Sequence, residues 1–397
     1  MTDRLRFLTA GESHGPFIST ILEGLPAGLK ILKDKINYQL SRRQKTFGCS
    51  KRMKIEDDKV TIISGIIQGK TTGAPLCMQI KNIDYKNWKN KKINPMFIPR
   101  PGHADLTGTI KYNYSDLRFS LERANARETA MRVCVGSVCR QLLEEFGIII
   151  GGYVSSIGTI KAYIDETLSQ KKLIEYITQA QNNEFYFADT SQCNNIRKKI
   201  YQCMKLKNTL GGIFEVVALK VPIGLGSHVH WDRRLESKLA YALMSIPAIK
   251  GIEIGNAFIN STKYGSEIQD EIFFNKKGSL YRASNNAAGF EGGITNAEPI
   301  IARLAMKPIS TILRGMKSIN ILTKKETITS YERSDFCSVP RALPIGEAML
   351  SFVLANAILE KLGGDNIEEM KQSFSYLRNI NINNMRFINK KWKFDYE

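Results

Sequence analysis

The chain has 397 residues, 57 of them lysine or arginine against 38 carboxylates, so it can bury a large core and carries a formal net charge of +19 that favours anionic partners. No apolar run reaches the roughly 20 residues that span a bilayer, and the N-terminus shows neither a hydrophobic region nor a small-residue cleavage site, so a cytosolic protein is expected. Seven scattered cysteines with no Cys-x-x-Cys pair argue against a disulfide framework and a zinc site.

In chain order, the first landmark is Gly11-Glu12-Ser13-His14-Gly15-Pro16, a polar turn after an extended apolar segment. It holds one of only four histidines. A histidine satisfied in a core normally lies on an apolar element, whereas a glycine turn lets a ligand approach the backbone and leaves the imidazole able to exchange protons near neutral pH. Two segments, Val60 to Ile67 and Leu76 to Ile80, read as strands. A second histidine turn follows, Arg100-Pro101-Gly102-His103-Ala104-Asp105. Next comes a helix over Asn125 to Phe146, with apolar residues at Ala130, Val133, Cys134, Val138 and Leu142 and a stop at Gly147. Asn125 and Glu128 have the spacing of a capping box, and the first-turn amides beside Arg123 and Arg127 suit an anion.

Further on, strands are expected over Ile148 to Gly158, Gly212 to Val221 and Ile252 to Ile259. His228 and His230 have the spacing of one strand face, but nothing near them in sequence completes a metal ligand set, so a polar strand end is the better reading. A helix repeats Leu235, Leu239, Leu243 and Ile246 before Pro247, and another runs from Pro344 to Leu362, closed by Gly363-Gly364. Strands and helices mix without regular βαβ alternation, which predicts an α+β layered fold.

The basic residues divide into two populations. Lysines are scattered among asparagines and isoleucines in the manner of solvated surface, while arginines gather at Arg42, Arg43, Arg52, Arg100, Arg118, Arg123, Arg127, Arg132, Arg233, Arg234, Arg333 and Arg341. Guanidinium forks fit phosphate and carboxylate groups, so a small multiply charged substrate explains these positions better than a nucleic acid does. A nicotinamide or flavin oxidoreductase of the Rossmann type is disfavoured, because no Gly-x-Gly-x-x-Gly follows a strand.

Seven ordered stretches, Thr9–Pro16, Arg100–Asp105, Ala126–Ala130, Trp231–Leu235, Met244–Gly251, Met306–Thr311 and Glu332–Asp335, resemble the chorismate synthase family, and the likeness extends from Leu5 to Asp365. The resemblance implies a β-α-β sandwich core with internal pseudo-duplication, one catalytic domain over 1–365 and a cytoplasmic homotetramer, but it does not explain the basic, aromatic-containing tail over 366–397. It implies conversion of 5-enolpyruvylshikimate 3-phosphate to chorismate and phosphate by anti-1,4-elimination. The reaction belongs to the shikimate pathway of aromatic amino acid biosynthesis. It requires reduced FMN without net redox change, with the flavin reduced externally and NADPH as an indirect reductant. No metal, nucleic acid or membrane partner is expected.

By the same resemblance His14 lies near the leaving phosphate, His103 beside the flavin, and Asp335 assists loss of the ring proton. Flavin contacts fall on Arg123, Ala124, Asn125, Pro247, Ala248, Gly292, Lys307, Pro308, Ile309, Ser310, Thr311 and Arg333, and substrate or NADP contacts on Arg43, Arg52, Arg100 and Arg127. Two positions depart from the family pattern. Asn125 replaces a usual serine, a change between two capping residues. Cys49 stands where an arginine is usual, so one cationic contact is lost, with Lys45 or Lys51 supplying charge without the bidentate fork. Cys49→Arg is therefore expected to lower substrate KM, and an unchanged KM would place position 49 outside the anion site.

Overall fold

The computed structural model describes residues 4–48, 57–165, 169–275, 279–330, 335–378 and 387–394. Four antiparallel strands, β1 (Arg6–Ala10), β2 (Phe17–Glu23), β3 (Val60–Ser64) and β4 (Leu76–Lys81), form the first sheet in the order β1-β2-β4-β3. Alternation along them is clean. Ile18, Thr20 and Leu22 of β2 and Leu76, Met78 and Ile80 of β4 are buried, whereas Leu8 and Ile21, paired across β1 and β2, are exposed. A sheet with one covered face produces this period of two.

The second sheet, also antiparallel, contains β5 (Ile149–Ile157), β6 (Ile160–Lys161), β7 (Gly212–Leu219), β8 (Ile249–Ile254) and β9 (Ile300–Met306) in the order β8-β9-β7-β5-β6. Its central strands are covered on both faces. Phe214, Val216 and Ala218 are buried on one side of β7 and Glu215, Val217 and Leu219 on the other, which explains a nearly continuous apolar run in place of alternation.

Two helices fill the space between the sheets, α4 (Thr129–Glu145) and α8 (Val339–Leu362), numbered after α1 (Lys33–Gln44), α2 (Asp105–Tyr112), α3 (Leu117–Arg123), α5 (Gln170–Gln181), α6 (Cys193–Lys205) and α7 (Leu235–Met244). The result is an α+β fold with a β-α-β sandwich core, in which the chain lays down a sheet and then a central helix, twice. One apolar cluster runs through both halves. Small residues set the spacing: a Cβ on Gly136 would lie 2.2 Å from Ala348 Cβ, and one on Gly346 would lie 2.8 Å from the Phe214 ring. Helix α8 therefore touches α4 on one side and the second sheet on the other. By length and composition it could cross a membrane, but it is buried in the core. A helix apolar all round needs cover all round, and burial of each large aliphatic side chain stabilises it by about 1.5–3 kcal/mol.

Several boundaries differ from expectation for identifiable reasons. Helix α8 starts at Val339, with Pro344 in its second turn, where a missing N–H costs a single backbone bond. Strand β8 stops at Ile254 because Gly255 turns into a positive φ of 61°, and Ala257–Asn260 forms a helical turn where a strand was expected. His228 and His230 lie on no strand; His230 is extended backbone ahead of a 3-10 turn over Trp231–Arg233, with its Nδ1 2.7 Å from Asp232. The C-terminal segment opens with α9 (Ile367–Arg378), whose Met370 and Phe374 are buried, Phe374 against Phe146 at 5.0 Å. Gly136→Val is expected to lower unfolding stability by about 2–3 kcal/mol through overpacking, whereas Gly265→Ala, with open space around it, leaves the thermal midpoint nearly unchanged.

Candidate active site

Where the two halves meet, a hollow of about 770 Å³ opens between β1, the α3–α4 junction, the 100–104 turn, Pro247-Ala248, the 307–311 segment and the start of α8. The α3–α4 junction is a 3-10 turn over Ala126–Glu128. The Asn125 side chain caps it by accepting the Arg127 N–H at 3.0 Å, but Glu128 accepts instead from the Thr9 hydroxyl (2.9 Å) and from Arg132 Nε (3.1 Å). Only half of the expected capping box forms, and α4 proper begins at Thr129. Opposite this junction Ala248 takes a φ of +69°, an uncommon conformation for alanine, while its carbonyl accepts the Lys307 N–H at 2.9 Å. Strain of this kind persists only where the surroundings enforce it, and it concentrates at functional sites.

The guanidinium groups facing the hollow are gripped from behind. Arg100 makes a two-pronged contact with the fully buried Asp105, Nε to Oδ2 at 2.8 Å and Nη2 to Oδ1 at 3.0 Å, and donates from Nη1 to the Thr311 hydroxyl at 2.9 Å. His103 shares that carboxylate, Nδ1 to Oδ1 at 2.6 Å. Burial alone would raise the Asp105 pKa, but hydrogen bonds from His103 and Arg100 outweigh it and hold the group well below the usual carboxylate range. Arg43 and Arg127 converge on buried Asp58, at 3.6 and 2.9 Å, and Arg43 also donates to the Ala126 carbonyl at 2.8 Å. Arg123 donates to Thr9 O and Gly11 O, Arg341 to Asp335 at 2.7 Å, and Lys307 to the Gly102 carbonyl at 2.8 Å.

Of the site residues expected from sequence, Arg43, Arg100, His103, Arg123, Ala124, Asn125, Arg127, Pro247, Ala248, Lys307, Ile309, Ser310, Thr311 and Asp335 line this one hollow. Pro308 lies between lining residues but packs at Gly211, and Gly292 sits in a turn beside His228. His14 does not line the hollow, although its neighbour Ser13 does. Arg52 and Arg333, like Cys49 and Lys51, lie outside the described residues. Sequence reasoning grouped Arg341 with the anion-facing arginines but gave no site role to Asp58, Asp105, Glu122 or Glu128; Asp105 was visible within the second histidine turn, but Asp58 and Glu122 carry no local signal.

A sandwich whose halves close on a hollow walled by guanidiniums, imidazole and carboxylate defines an enzyme site for a small anionic molecule. The family model for chorismate synthase matches residues 5–359. The chorismate synthase of Aquifex aeolicus (strain VF5) is 48% identical over 383 residues, 93% of this chain and 96% of that protein. That of Sulfurihydrogenibium sp. (strain YO3AOP1) is 48% identical, covering 96% and 100%. A solved structure titled "Crystal Structure of Chorismate Synthase" superposes with a TM-score of 0.79 at 43% identity, over 94% of this chain and 97% of that one. The chain belongs to the chorismate synthase family.

Because the folded pKa of Asp105 lies below its unfolded value, its contribution to stability is complete above about pH 4 and is lost as pH falls through the folded value. Asp105→Asn is expected to cost about 3–5 kcal/mol at pH 7 by stranding Arg100. Denaturant titrations at pH 7 and at pH 3 should show the gap from wild type narrowing in acid.

Proposed function

We propose that this hollow converts 5-enolpyruvylshikimate 3-phosphate to chorismate and phosphate by anti-1,4-elimination, the carbon–oxygen bond to phosphate breaking as a ring proton is lost. The observation that carries the reading is the company the hollow keeps. Arg43, Arg100, Arg123, Arg127, Arg132, Arg341 and Lys307 bring seven cationic side chains to its lining, against the carboxylates of Glu128 and Asp335. A cationic lining of that kind favours a polyanion over a neutral substrate.

The lining fits a reduced flavin as well. Ala124, Pro247, Ala248 and Ile309 offer an apolar wall for a ring system, while Arg123, Asn125, Lys307, Ser310 and Thr311 offer donors around it. Gly102 leaves room where a Cβ would come within 3.3 Å of Lys307 Nζ. Bound there, reduced FMN would lend an electron to the substrate and regain it, with no net redox change. In this reading Arg43, Arg100 and Arg127, together with Arg52, bind the substrate anion and neutralise it. His103, oriented by Asp105, holds a proton beside the cofactor. Asp335, kept in place by Arg341 and the Ser338 hydroxyl (3.3 Å), assists removal of the ring proton. His14 donates a proton to the departing phosphate, which lowers the cost of expulsion.

The proposal extends to a cytoplasmic homotetramer fed by an external flavin reductant, with NADPH as the indirect source. Its catalytic domain occupies residues 1–365, and residues 366–397 form an appendage beginning with α9. Six free cysteines among the described residues fit a reducing compartment. The exposed pair Leu8 and Ile21 on the outer face of the first sheet fits burial against another copy. Anaerobic turnover with photoreduced FMN, followed by chorismate absorbance and phosphate release, tests the reading: His14→Ala and His103→Ala should each lower kcat about 10²- to 10⁴-fold. Turnover at the wild-type rate in either variant would remove that histidine from proton transfer.

A further inference from the structure

We infer that Glu122 is the positioning residue of His14, clamping the backbone and the ring of the first histidine turn together, with Trp88 as the platform for the imidazole. The inference rests on the proposed role of His14 in the same site. One carboxylate oxygen of Glu122 accepts the His14 backbone N–H at 2.9 Å, while the other lies 2.6 Å from His14 Nδ1. The Glu122 main-chain carbonyl accepts the Ser13 N–H at 2.9 Å, so a single residue of α3 grips both Ser13 and His14. From the opposite side, the Asn82 amide donates to the carbonyls of Ser13 (3.1 Å) and Gly15 (2.8 Å).

The imidazole lies on Trp88, ring centroids 3.8 Å apart and tilted 38°. Trp88 is itself fixed, its indole N–H donating to Asp84 at 3.1 Å, and the Lys91 ammonium lies 4.9 Å from the indole centroid. Glu12, the carboxylate in the histidine's own turn, is not the partner that the structure gives His14; Glu122, 108 positions away, is. Burial pushes the Glu122 pKa up, and the hydrogen bonds from the His14 ring and backbone, with the nearby Arg118 charge, together more than reverse it, so Glu122 stays an anion facing the ring. Nδ1 is thereby committed to Glu122, which makes Nε2 the nitrogen that exchanges the catalytic proton. His103 and Asp105 repeat the arrangement at 2.6 Å, so each histidine turn has a carboxylate that sets its tautomer.

Glu122→Gln keeps the shape and removes the charge. It is expected to lower kcat about 10- to 100-fold, the usual cost of losing an orienting partner, with KM within about threefold and the thermal midpoint nearly unchanged. The double variant Glu122→Gln/His14→Asn should be no slower than His14→Asn alone, because both act through one group. Wild-type kcat in Glu122→Gln, or losses that simply multiply in the double variant, would overturn the inference. A substrate-free readout separates it from the wider functional reading. In ¹⁵N-histidine spectra, His14 should show a protonated Nδ1 in the wild type and lose that signature in Glu122→Gln. An unchanged His14 pattern would overturn the clamp even if turnover is normal, and a changed pattern would support it even if the wild type fails to release phosphate.

Discussion

Burying a guanidinium without a partner is prohibitively costly, and most of the architecture around the hollow answers that constraint. Each arginine facing inward is held from behind: Arg100 by Asp105, Arg43 and Arg127 by Asp58, Arg132 by Glu128, Arg341 by Asp335, and Arg123 by backbone carbonyls. The supports leave the forks ordered and the balance still positive, so the site is preorganised for negative charge. The same rule operates deeper in the core. Glu347 of α8 takes Arg42 at 2.5 Å and Arg140 at 3.2 Å, and Glu215 of β7 takes Arg303 at 3.1 Å and the Tyr153 hydroxyl at 2.8 Å.

The sandwich supplies the convergence. Residues 7–13 leave the first sheet, 123–132 start one central helix, 247–248 lead into the second sheet, 307–311 leave it, and 335–341 start the other central helix. Seven separate stretches of chain, including the turn at Arg100–Ala104 and Arg43 of α1, meet at the hollow. Close approach at Gly136 and Gly346 fixes how near the layers lie, and through them the width of the hollow. Function and packing are thus coupled: a change in the helix layer alters the spacing of charges attached to both halves.

Much of this was legible in the sequence wherever a signal was local. Glycine turns around His14 and His103, the arginine grouping and the apolar periodicities of α4 and α7 are short-range patterns, and fourteen of the expected site residues do share one hollow. Boundaries were lost where tertiary contacts overrode local preference. Pro344 is tolerated inside α8 because the helix is packed on all sides, and Glu128 abandons its box for Thr9 and Arg132. The supports were the least legible. Asp58 and Glu122 sit in unremarkable surroundings, and their partners are up to 108 positions away, so only the folded chain reveals what they hold.

The central claim is that one hollow takes both a flavin and a phosphorylated enol ether. Diffraction from crystals grown with oxidised FMN and 5-enolpyruvylshikimate 3-phosphate tests it most directly. The account predicts density for both in this hollow, a phosphate within hydrogen-bonding distance of Arg43, Arg100 or Arg127 and the flavin along Lys307 to Thr311. Ordered ligands on an outer surface, with the hollow holding only water, would contradict it.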